Sequence, residues 1–525
     1  YSSKMLKSLA ILALAPGVAA MPANSKTFSP PQPNDHPTAC QMQVIGNPGY
    51  NFAICQATPE GYYSTAVNQD DGFIYYGEIK NGKLVAGKDE VGDGTAEDKN
   101  IKKKQIESPD EAEKQCMKND YCAWKIDNNG MSGTDAPDSD YSNLVIPFKF
   151  ADHTDRTINV TDIEKDIFND DHISVKDYFE TMSGGKISWS NEFAKVVTIS
   201  RTESECADKV SGTSKKIKKC LAEALELVAE QGIFPSDYDG VSFIHSGNGA
   251  ENGGKDDFLT YYDDRIWSHS WEIESDVYTG RYALMSAYYG SHGSRPMRAG
   301  TAIHEIGQML GAPTLYGPEP GNGLGYYDSM SNPYGFDGDL NHPGSLSAYT
   351  RMLLEWADVE EIDEDGTYTI QASYKTSKVY KISLGFPNDE YYLIENRANA
   401  GYDEGLPGAG LAIYHVDGSA NGKPGYPGDG TYPANRYRVS LIQADGRFDL
   451  EMEEDQGDNG DLFHAGTVDG FTPDGPLVNG KPNGKEYPNT QAYKDGKFIN
   501  TGLTIKDISI PGDSMSFTVM FASES

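Results

Sequence analysis

The stretch 301–313 contains the residues whose types and spacing could do metal chemistry. His304 and Gln308 are four residues apart, so a helix would project both side chains from one face. In zinc peptidases, H-E-x-x-H on a helix supplies two imidazoles to the metal, and the Glu acts as general base for the bound water. Glu305 occupies that Glu position, but Gln308 stands in place of the second His. Taken alone, the pair of His304 and Glu305 therefore indicates a structural helix more readily than a catalytic one.

The elements that would position this helix can be outlined from the sequence on both sides of it. Ile303, Ile306 and Leu310 form its apolar face, and Gly311 and Pro313 end it. Residues 144–148 and 238–244 are short apolar runs typical of strands, and residues 214–231 repeat apolar residues at helical spacing. The region 141–360 is therefore predicted to be an α+β domain.

The two flanking regions are predicted to be rich in β structure. From about residue 366 onward, short apolar segments alternate with turns of Gly, Pro and Asp, so 361–525 is expected to be a β-rich C-terminal region. Residues 40–84 combine Tyr, Gly and short apolar runs, as a small β domain would. Two polar stretches within 85–140 have the composition of exposed linkers.

Composition and the first residues indicate a compartment and exclude some partners. The 525 residues include 44 Lys and Arg against 79 Asp and Glu, a net charge of −35. Nucleic acid or an anionic membrane surface is therefore not expected as a partner, because both repel a net anion. Lysines before the short apolar run 9–15 give residues 1–20 the pattern of a signal peptide, and no later run is long enough to span a membrane. A secreted, extracellular protein is expected.

The cysteines fit the same compartment. The chain has six, an even number without a C-x-x-C pair, which in a secreted protein predicts up to three disulfides. Cys206 and Cys220 enclose a short segment and are predicted to pair with each other. The four N-terminal cysteines are then expected to pair among themselves, and proximity favours Cys40 with Cys55 and Cys116 with Cys122. Asn159 begins the glycosylation sequon Asn-Val-Thr.

Several ordered segments resemble the immune inhibitor A family of secreted zinc metallopeptidases. The segments are 144–152, 174–186, 238–240, 266–269, 301–313, 328–331, 391–397, 406–415 and 443–446. The resemblance implies a zincin-like metallopeptidase domain at 141–360, followed by the β-rich region 361–525 and preceded by a propeptide-like region at 21–140. It also implies that His269 lies in the cleft and that Met330 belongs to the family's Met-turn beneath the zinc.

The chain departs from this family at the zinc ligands. The family's signature H-E-x-x-H-x-x-G-x-x-D provides two His and one Asp, whereas this chain has His304, Gln308 and Thr314 at those positions. An amide oxygen and a hydroxyl are much weaker zinc donors than imidazole or carboxylate. A tightly held zinc is therefore not expected, and Glu305 is interpreted as a remnant general base.

These observations leave three hypotheses for function. The first is a pseudopeptidase that binds a peptide or protein without hydrolysis. The second is an active or weakly active zinc metalloendopeptidase with an altered ligand set, in which His245, His269 or His292 replaces the missing ligands. The third is a structural extracellular protein.

A second metal site is predicted in the C-terminal region. Asp445, Asp458 and Asp461 lie in acidic turns rich in glycine, and calcium prefers six to eight oxygen ligands on such loops. The spacing is not that of an EF-hand. Calcium is therefore the candidate ion here, and a solvated acidic surface is the alternative.

Overall fold

A computed structural model describes most of the chain from residue 140 onward. Side chains are described for residues 140–522 except 171, 254, 258, 291–294, 317–321, 337, 339, 388–389, 419–437, 453 and 493–497. Within 493–497, the backbone alone is described for 493, 494 and 497. Before residue 140, only the backbone of five strands is described. The predicted signal peptide and most of the predicted linkers therefore lie outside the described residues. At the two ends of 85–140 the linker prediction is wrong, because residues 85–90 belong to a strand, 83–90, and Asp140 begins another, 140–149.

The N-terminal strands form one antiparallel sheet in chain order, β1 to β5. Their bounds are β1 Gln41–Asn47, β2 Tyr50–Thr58, β3 Gly61–Val67, β4 Ile74–Lys80 and β5 Lys83–Glu90. Strands at these positions agree with the β-rich composition of residues 40–84.

A mostly parallel sheet organises the middle of the chain. Its strands are β6 Asp140–Lys149, β7 Ser188–Phe193, β8 Val197–Thr198, β9 Gly240–Asn248, β10 His269–Glu274 and β11 Thr279–Tyr288. Their order is β10-β11-β9-β6-β7, and β8 also pairs with β6. All pairs are parallel except β10 with β11, so one edge strand runs against the others. Residues predicted as strands, 144–148 and 238–244, fall in or next to β6 and β9.

Helices cover both faces of this sheet. They are α1 Val160–Asp162, which continues as a π-helical turn Ile163–Phe168, α2 Val175–Met182, α3 Glu203–Ala207, α4 Lys215–Ala229, α5 Ala299–Met309 and α6 Ala348–Leu353. On β11, Ala283 and Met285 join the core with α2 and α5, whereas Tyr282 and Leu284 join a second core with α4. This alternation follows from the period of two along a strand. The sheet therefore separates the α5 side from the α4 side.

The C-terminal region consists of two larger sheets and a hairpin. The first sheet has the order β12-β14-β15-β16-β17, the second has the order β13-β24-β23-β18-β19-β20, and β21 pairs with β22. The strands are β12 Asp358–Glu361, β13 Gly366–Gln371, β14 Lys378–Ile382, β15 Glu390–Arg397, β16 Gly410–Asp417, β17 Val439–Leu441, β18 Gly470–Thr472, β19 Gly475–Val478, β20 Lys481–Pro482, β21 Ala492–Lys494, β22 Lys497–Ile499, β23 Leu503–Lys506 and β24 Ser514–Phe521.

The core beneath α5 extends into this C-terminal region. Ile303 and Ile306 of α5 belong to the same buried cluster as Leu393 of β15 and Tyr414 of β16. The described chain is thus a mixed α/β protein with few helices and many strands. In the part that the structure describes, no helix is both long and apolar enough to cross a membrane.

Two further sequence predictions can be located in the structure. Cys206 and Cys220 form a disulfide, as predicted, and link α3 to α4. Asn159 is exposed just before α1, and its side-chain amide donates a hydrogen bond to Asp162. Its glycosylation stays a prediction. The other cysteine side chains lie outside the described residues, and so do their proposed pairings.

Candidate functional site

Helix α5 carries the candidate site because its apolar face fixes it on the sheet. Ala302, Ile303 and Ile306 are fully buried in the core that it shares with β9 and β11. Gly311 ends the helix with a φ of +102°, a conformation that glycine adopts readily. The face carrying His304 and Gln308 turns toward Thr314 and the backbone of Ser329 rather than toward the sheet.

His304 is held as a neutral imidazole between two hydrogen-bond partners. Its Nδ1 lies 3.2 Å from the backbone carbonyl oxygen of Ser329, which can only accept, so Nδ1 carries the proton. Its Nε2 lies 2.9 Å from the amide nitrogen of Gln308, which can only donate. Burial lowers the pKa of His304 to about 4, so the ring is neutral at pH 7. The lone pair on Nε2 therefore accepts a hydrogen bond from Gln308.

The three positions that carry zinc ligands in the resembling family are joined to each other by hydrogen bonds. The Gln308 amide nitrogen donates to His304 and also to the hydroxyl of Thr314, 3.1 Å away. Zinc binds imidazole through the same lone pair that Gln308 occupies. Gln308 turns its donor side rather than an oxygen toward His304, and Thr314 offers only a hydroxyl. These residues do not fit a zinc ion.

The loop beneath α5 is built around the buried carboxylate of Asp328. It accepts hydrogen bonds from the backbone of Met330 and Ser347 and from the hydroxyls of Ser347 and Thr350, at 2.6–2.9 Å. These bonds fix the turn whose Ser329 carbonyl orients His304. Met330 packs directly under the helix, where a Cβ on Gly307 would approach its sulfur to 2.7 Å.

Glu305 is buried beside a second carboxyl group. It is 7% exposed, and its Oε2 has no hydrogen-bond partner among the described residues. Burial raises the pKa of Glu305 well above its usual range, and the nearby Glu251 charge adds to the shift. Glu251 itself accepts hydrogen bonds from the backbone and hydroxyl of Ser268, at 3.2 and 2.7 Å. The Oε2 atom itself is buried from solvent, so a ligand can reach it only if the side chains that cover it move aside.

Two tyrosine rings reach the surface around these groups. Tyr316 stacks on the imidazole of His304, with centroids 5.9 Å apart and planes 19° apart. Tyr316 and Tyr334 are 46% and 41% exposed, respectively. Partial burial raises the pKa of Tyr316 and of Tyr334 to about 12, and the charges of Glu305 and Glu251, respectively, add to these shifts. Exposed aromatic rings beside a buried acceptor are typical of a binding surface.

The histidines considered as substitute ligands lie elsewhere. His245 and His269 both face the α4 side of the sheet, where His245 contacts Phe148 and Phe150, and His269 contacts Tyr282. His269 is bonded to the Trp267 carbonyl at 2.8 Å and the Tyr282 hydroxyl at 2.9 Å. The sheet therefore separates both from His304, whereas His292 lies outside the described residues.

The placement of His269 predicts a pH dependence of stability. Burial lowers its pKa to about 4 in the folded chain, compared with 6.5 when unfolded, so below pH 6.5 the unfolded chain binds more protons. The stability contributed by neutral His269 is therefore lost as pH falls from 6.5 to 4, by up to about 3 kcal/mol. The test is urea unfolding of wild type and His269→Gln at pH 7.5 and 4.5. The difference between their free energies of unfolding should be smaller at pH 4.5. Equal differences at both pH values would contradict this assignment.

The predicted calcium ligands are only partly brought together. Asp445 and Asp458 form a group with Asp449, with oxygens within 4.8 Å of one another. The third predicted ligand, Asp461, is buried and accepts hydrogen bonds from the Tyr327 hydroxyl and the Asp458 backbone, at 3.0 and 2.8 Å. Burial raises the pKa of Asp461 to about 7. The cluster thus has Asp449 where the sequence suggested Asp461.

Arg447 lies among the three carboxylates of this cluster. Its Nε is 2.6 Å from Asp445 and 3.0 Å from Asp449, and an Nη pairs with Asp458. A guanidinium here supplies the positive charge that a calcium ion would supply. Calcium can therefore occupy the cluster only if the half-exposed Arg447 side chain moves away.

Removal of this guanidinium should expose the calcium affinity of the cluster. Arg447→Gln is expected to gain more thermal stability from calcium than wild type does, whereas Arg447→Lys should resemble wild type. At a hundredfold excess over Kd, a bound ion adds about 2.7 kcal/mol. Melting in calcium and in magnesium at equal ionic strength measures the effect. The same calcium response in Arg447→Gln and wild type would mean that the aspartates are only a solvated surface.

Sequence reasoning missed three parts of the α5 site: Asp328, Glu251 and Tyr334. Asp328 lies in a segment singled out for Met330, but nothing in the sequence indicates that its carboxylate binds Ser347 and Thr350. Glu251 lies in a 3₁₀ turn and Tyr334 in a loop, and neither belongs to a motif.

Comparison with protein-family models and with curated proteins finds no match for this chain.

Proposed function

We propose that this chain is a secreted pseudopeptidase, which binds a peptide or protein segment at the α5 site without cleaving it. One observation carries the proposal: the Gln308 amide donates to His304 and to Thr314, 2.9 and 3.1 Å away. The side chains that would have to bind zinc form hydrogen bonds with each other instead. The metal chemistry of the resembling peptidases therefore has no ligand set here.

Binding is supported by the unmatched hydrogen-bonding capacity of Glu305. A buried polar atom without a partner costs roughly 1–3 kcal/mol, and a ligand that supplies the partner recovers that cost. A peptide amide offers both an N–H and a carbonyl, so it can pair with Glu305 Oε2 whether that oxygen accepts or carries a proton, once the side chains that bury this atom move aside. The exposed faces of Tyr316 and Tyr334 provide apolar contact beside it.

The extracellular location is supported by one feature of the described chain. The Cys206–Cys220 disulfide joins two helices on the α4 side of the sheet, and both cysteines are fully buried. Disulfides form and persist in oxidising compartments, as outside the cell. Together with the signal-peptide pattern of residues 1–20, this supports secretion as part of the proposal.

The test is peptide capture followed by inspection of the captured peptides. Immobilised full-length protein, kept in a chelator, is incubated with a digest of a denatured protein, and eluted peptides are identified by mass spectrometry. We expect a subset to be retained intact. Glu305→Ala should weaken binding of a retained peptide about tenfold or more, which corresponds to one lost hydrogen bond of about 1.4 kcal/mol.

Glu226→Ala, an exposed position on α4, serves as the matched control and should bind like wild type. New peptide termini that appear only without chelator would show a weakly active metallopeptidase instead. Retention of no peptide would favour a structural protein. Equal melting temperatures of the two variants would show that the loss in Glu305→Ala is not a loss of folding.

A further inference from the structure

A large cavity lies away from the α5 site, where α2 meets the C-terminal region. Its volume is about 970 Å³, at the upper end of the roughly 300–1,000 Å³ that small-molecule sites occupy. Helix α2, the loop before α6 and two 3₁₀ turns, Ser373–Lys375 and Gly401–Asp403, form its walls. None of the lining residues belongs to the α5 site, so the cavity is separate from that site.

The positive charges in the walls already have partners. Lys375 pairs with Asp513 at 2.5 Å, and buried Arg351 pairs with Glu395 at 2.5 Å. Both of these carboxylates come from outside the lining. The two cations therefore add little net charge to the space inside the cavity.

Two carboxylates in the walls have no cationic partner among the described residues. Asp177 is oriented by neutral donors: the Tyr402 hydroxyl and the backbone N–H of Ile173, the latter at 3.3 Å. Glu404 is exposed at the rim, and its side chain forms no ion pair in the described part of the chain. The walls of the cavity therefore carry two negative charges that no described cation pairs with.

Aromatic and polar groups complete the lining. Phe336 and Tyr402 present rings, and a ring face attracts a cation within about 6 Å of its centre. The hydroxyl oxygen of Ser373 is buried, with no hydrogen-bond partner among the described residues. The other titratable groups in the walls are His172, His342 and Tyr374. Because the Ser373 oxygen is buried, the groups that face a ligand are the carboxylates and the rings, which together suit a cation with an apolar stem.

We infer that this cavity binds a ligand carrying an alkylammonium or guanidinium group, in the form of a lysine or arginine side chain of a peptide. The cationic head lies between Asp177 and Glu404, and the alkyl stem lies against Phe336 and Tyr402. Long basic side chains combine an apolar stem with a charged end, which matches a lining of rings and carboxylates. This site is independent of the function proposed for α5.

Titration of full-length protein with three small probes tests the inference. The probes are acetyl-Gly-Lys-Gly-amide, the same peptide with an acetylated lysine side chain, and n-butylamine. The lysine peptide should bind at least tenfold more tightly than its acetylated form, and its affinity should fall as salt rises from 50 to 500 mM. Tighter binding of the lysine peptide than of butylamine assigns the site to peptides, and equal binding assigns it to free amines.

Two variants connect that binding to the cavity. Glu404→Gln, at the exposed rim, should fold normally and weaken binding of the lysine peptide several-fold. Asp177→Asn combined with Glu404→Gln should weaken binding tenfold or more. Glu226→Gln on α4 is the matched control and should bind like wild type. Equal binding of the charged and acetylated peptides, no binding at millimolar concentration, or full affinity in Glu404→Gln and the double variant would overturn the inference.

Discussion

Gln308→His combined with Thr314→Asp is expected to raise the zinc affinity of the chain by at least 100-fold. The geometry favours the repair, because the Gln308 side chain already reaches both His304 and Thr314 within 3.1 Å. A second imidazole at position 308 would free the His304 lone pair, and position 314 would offer a carboxylate. Loss of even an outer-shell partner typically changes metal affinity 10–100-fold, so restoring two direct ligands should exceed that range.

Competition with a zinc-sensitive dye measures this affinity in wild type, both single variants and the double variant. Gln308→Asn with Thr314→Ser changes the same two positions without adding strong donors, and should match wild type. Each single variant should fall between wild type and the double variant. A double variant that binds zinc no better than the control would show that the surrounding site has diverged beyond these two positions.

Arg397→Met is expected to destabilise the fold by about 3–5 kcal/mol, the usual cost of breaking a buried ion pair. Arg397 is fully buried on β15 and binds both oxygens of Asp403 at 2.6 Å. It also reaches Glu395 at 3.2 Å and the Tyr327 carbonyl at 2.9 Å. The charges of Asp403 and Glu395 hold the pKa of Arg397 above its already high value, despite burial. Without the guanidinium, buried Asp403 would lose the cation that binds both of its oxygens, and Glu395 would keep only Arg351, 2.5 Å away.

Urea unfolding at pH 7 measures this effect. Arg397→Lys keeps a charge but cannot form the two parallel bonds to Asp403, so an intermediate loss is expected. Arg397→Met with Asp403→Leu should be less destabilised than Arg397→Met alone, because one stranded carboxylate is removed with its partner. A loss below about 1 kcal/mol in Arg397→Met would mean that water or a rearranged side chain replaces the guanidinium.

Features set by local sequence could be predicted, whereas those set by distant contacts could not. Apolar spacing predicted α5 and α4, and the short separation of Cys206 and Cys220 predicted their disulfide. Asp328 meets Ser347 and Thr350 only through the tertiary fold. The sequence around it therefore contained no signal of its role.

The direction in which side chains point could not be predicted from the sequence either. His269 was placed in the cleft by resemblance, but its direction on β10 depends on strand register, and it faces the α4 side. The acidic turns showed enough carboxylates for calcium, but not that Arg447 lies among them or that Asp461 turns toward Tyr327. A shift of one residue in strand register, or a change of one rotamer, decides where such a side chain points. Composition and spacing do not specify either of them.

The zinc content of the purified wild-type protein tests the central claim most directly. The protein is produced in zinc-supplemented medium, passed over a desalting column and measured by elemental mass spectrometry against its concentration. The hydrogen bonds from Gln308 to His304 and Thr314 predict far less than one zinc per chain. One tightly held zinc per chain, lost in His304→Ala, would show that His304 binds a metal in spite of Gln308 and would contradict the pseudopeptidase account.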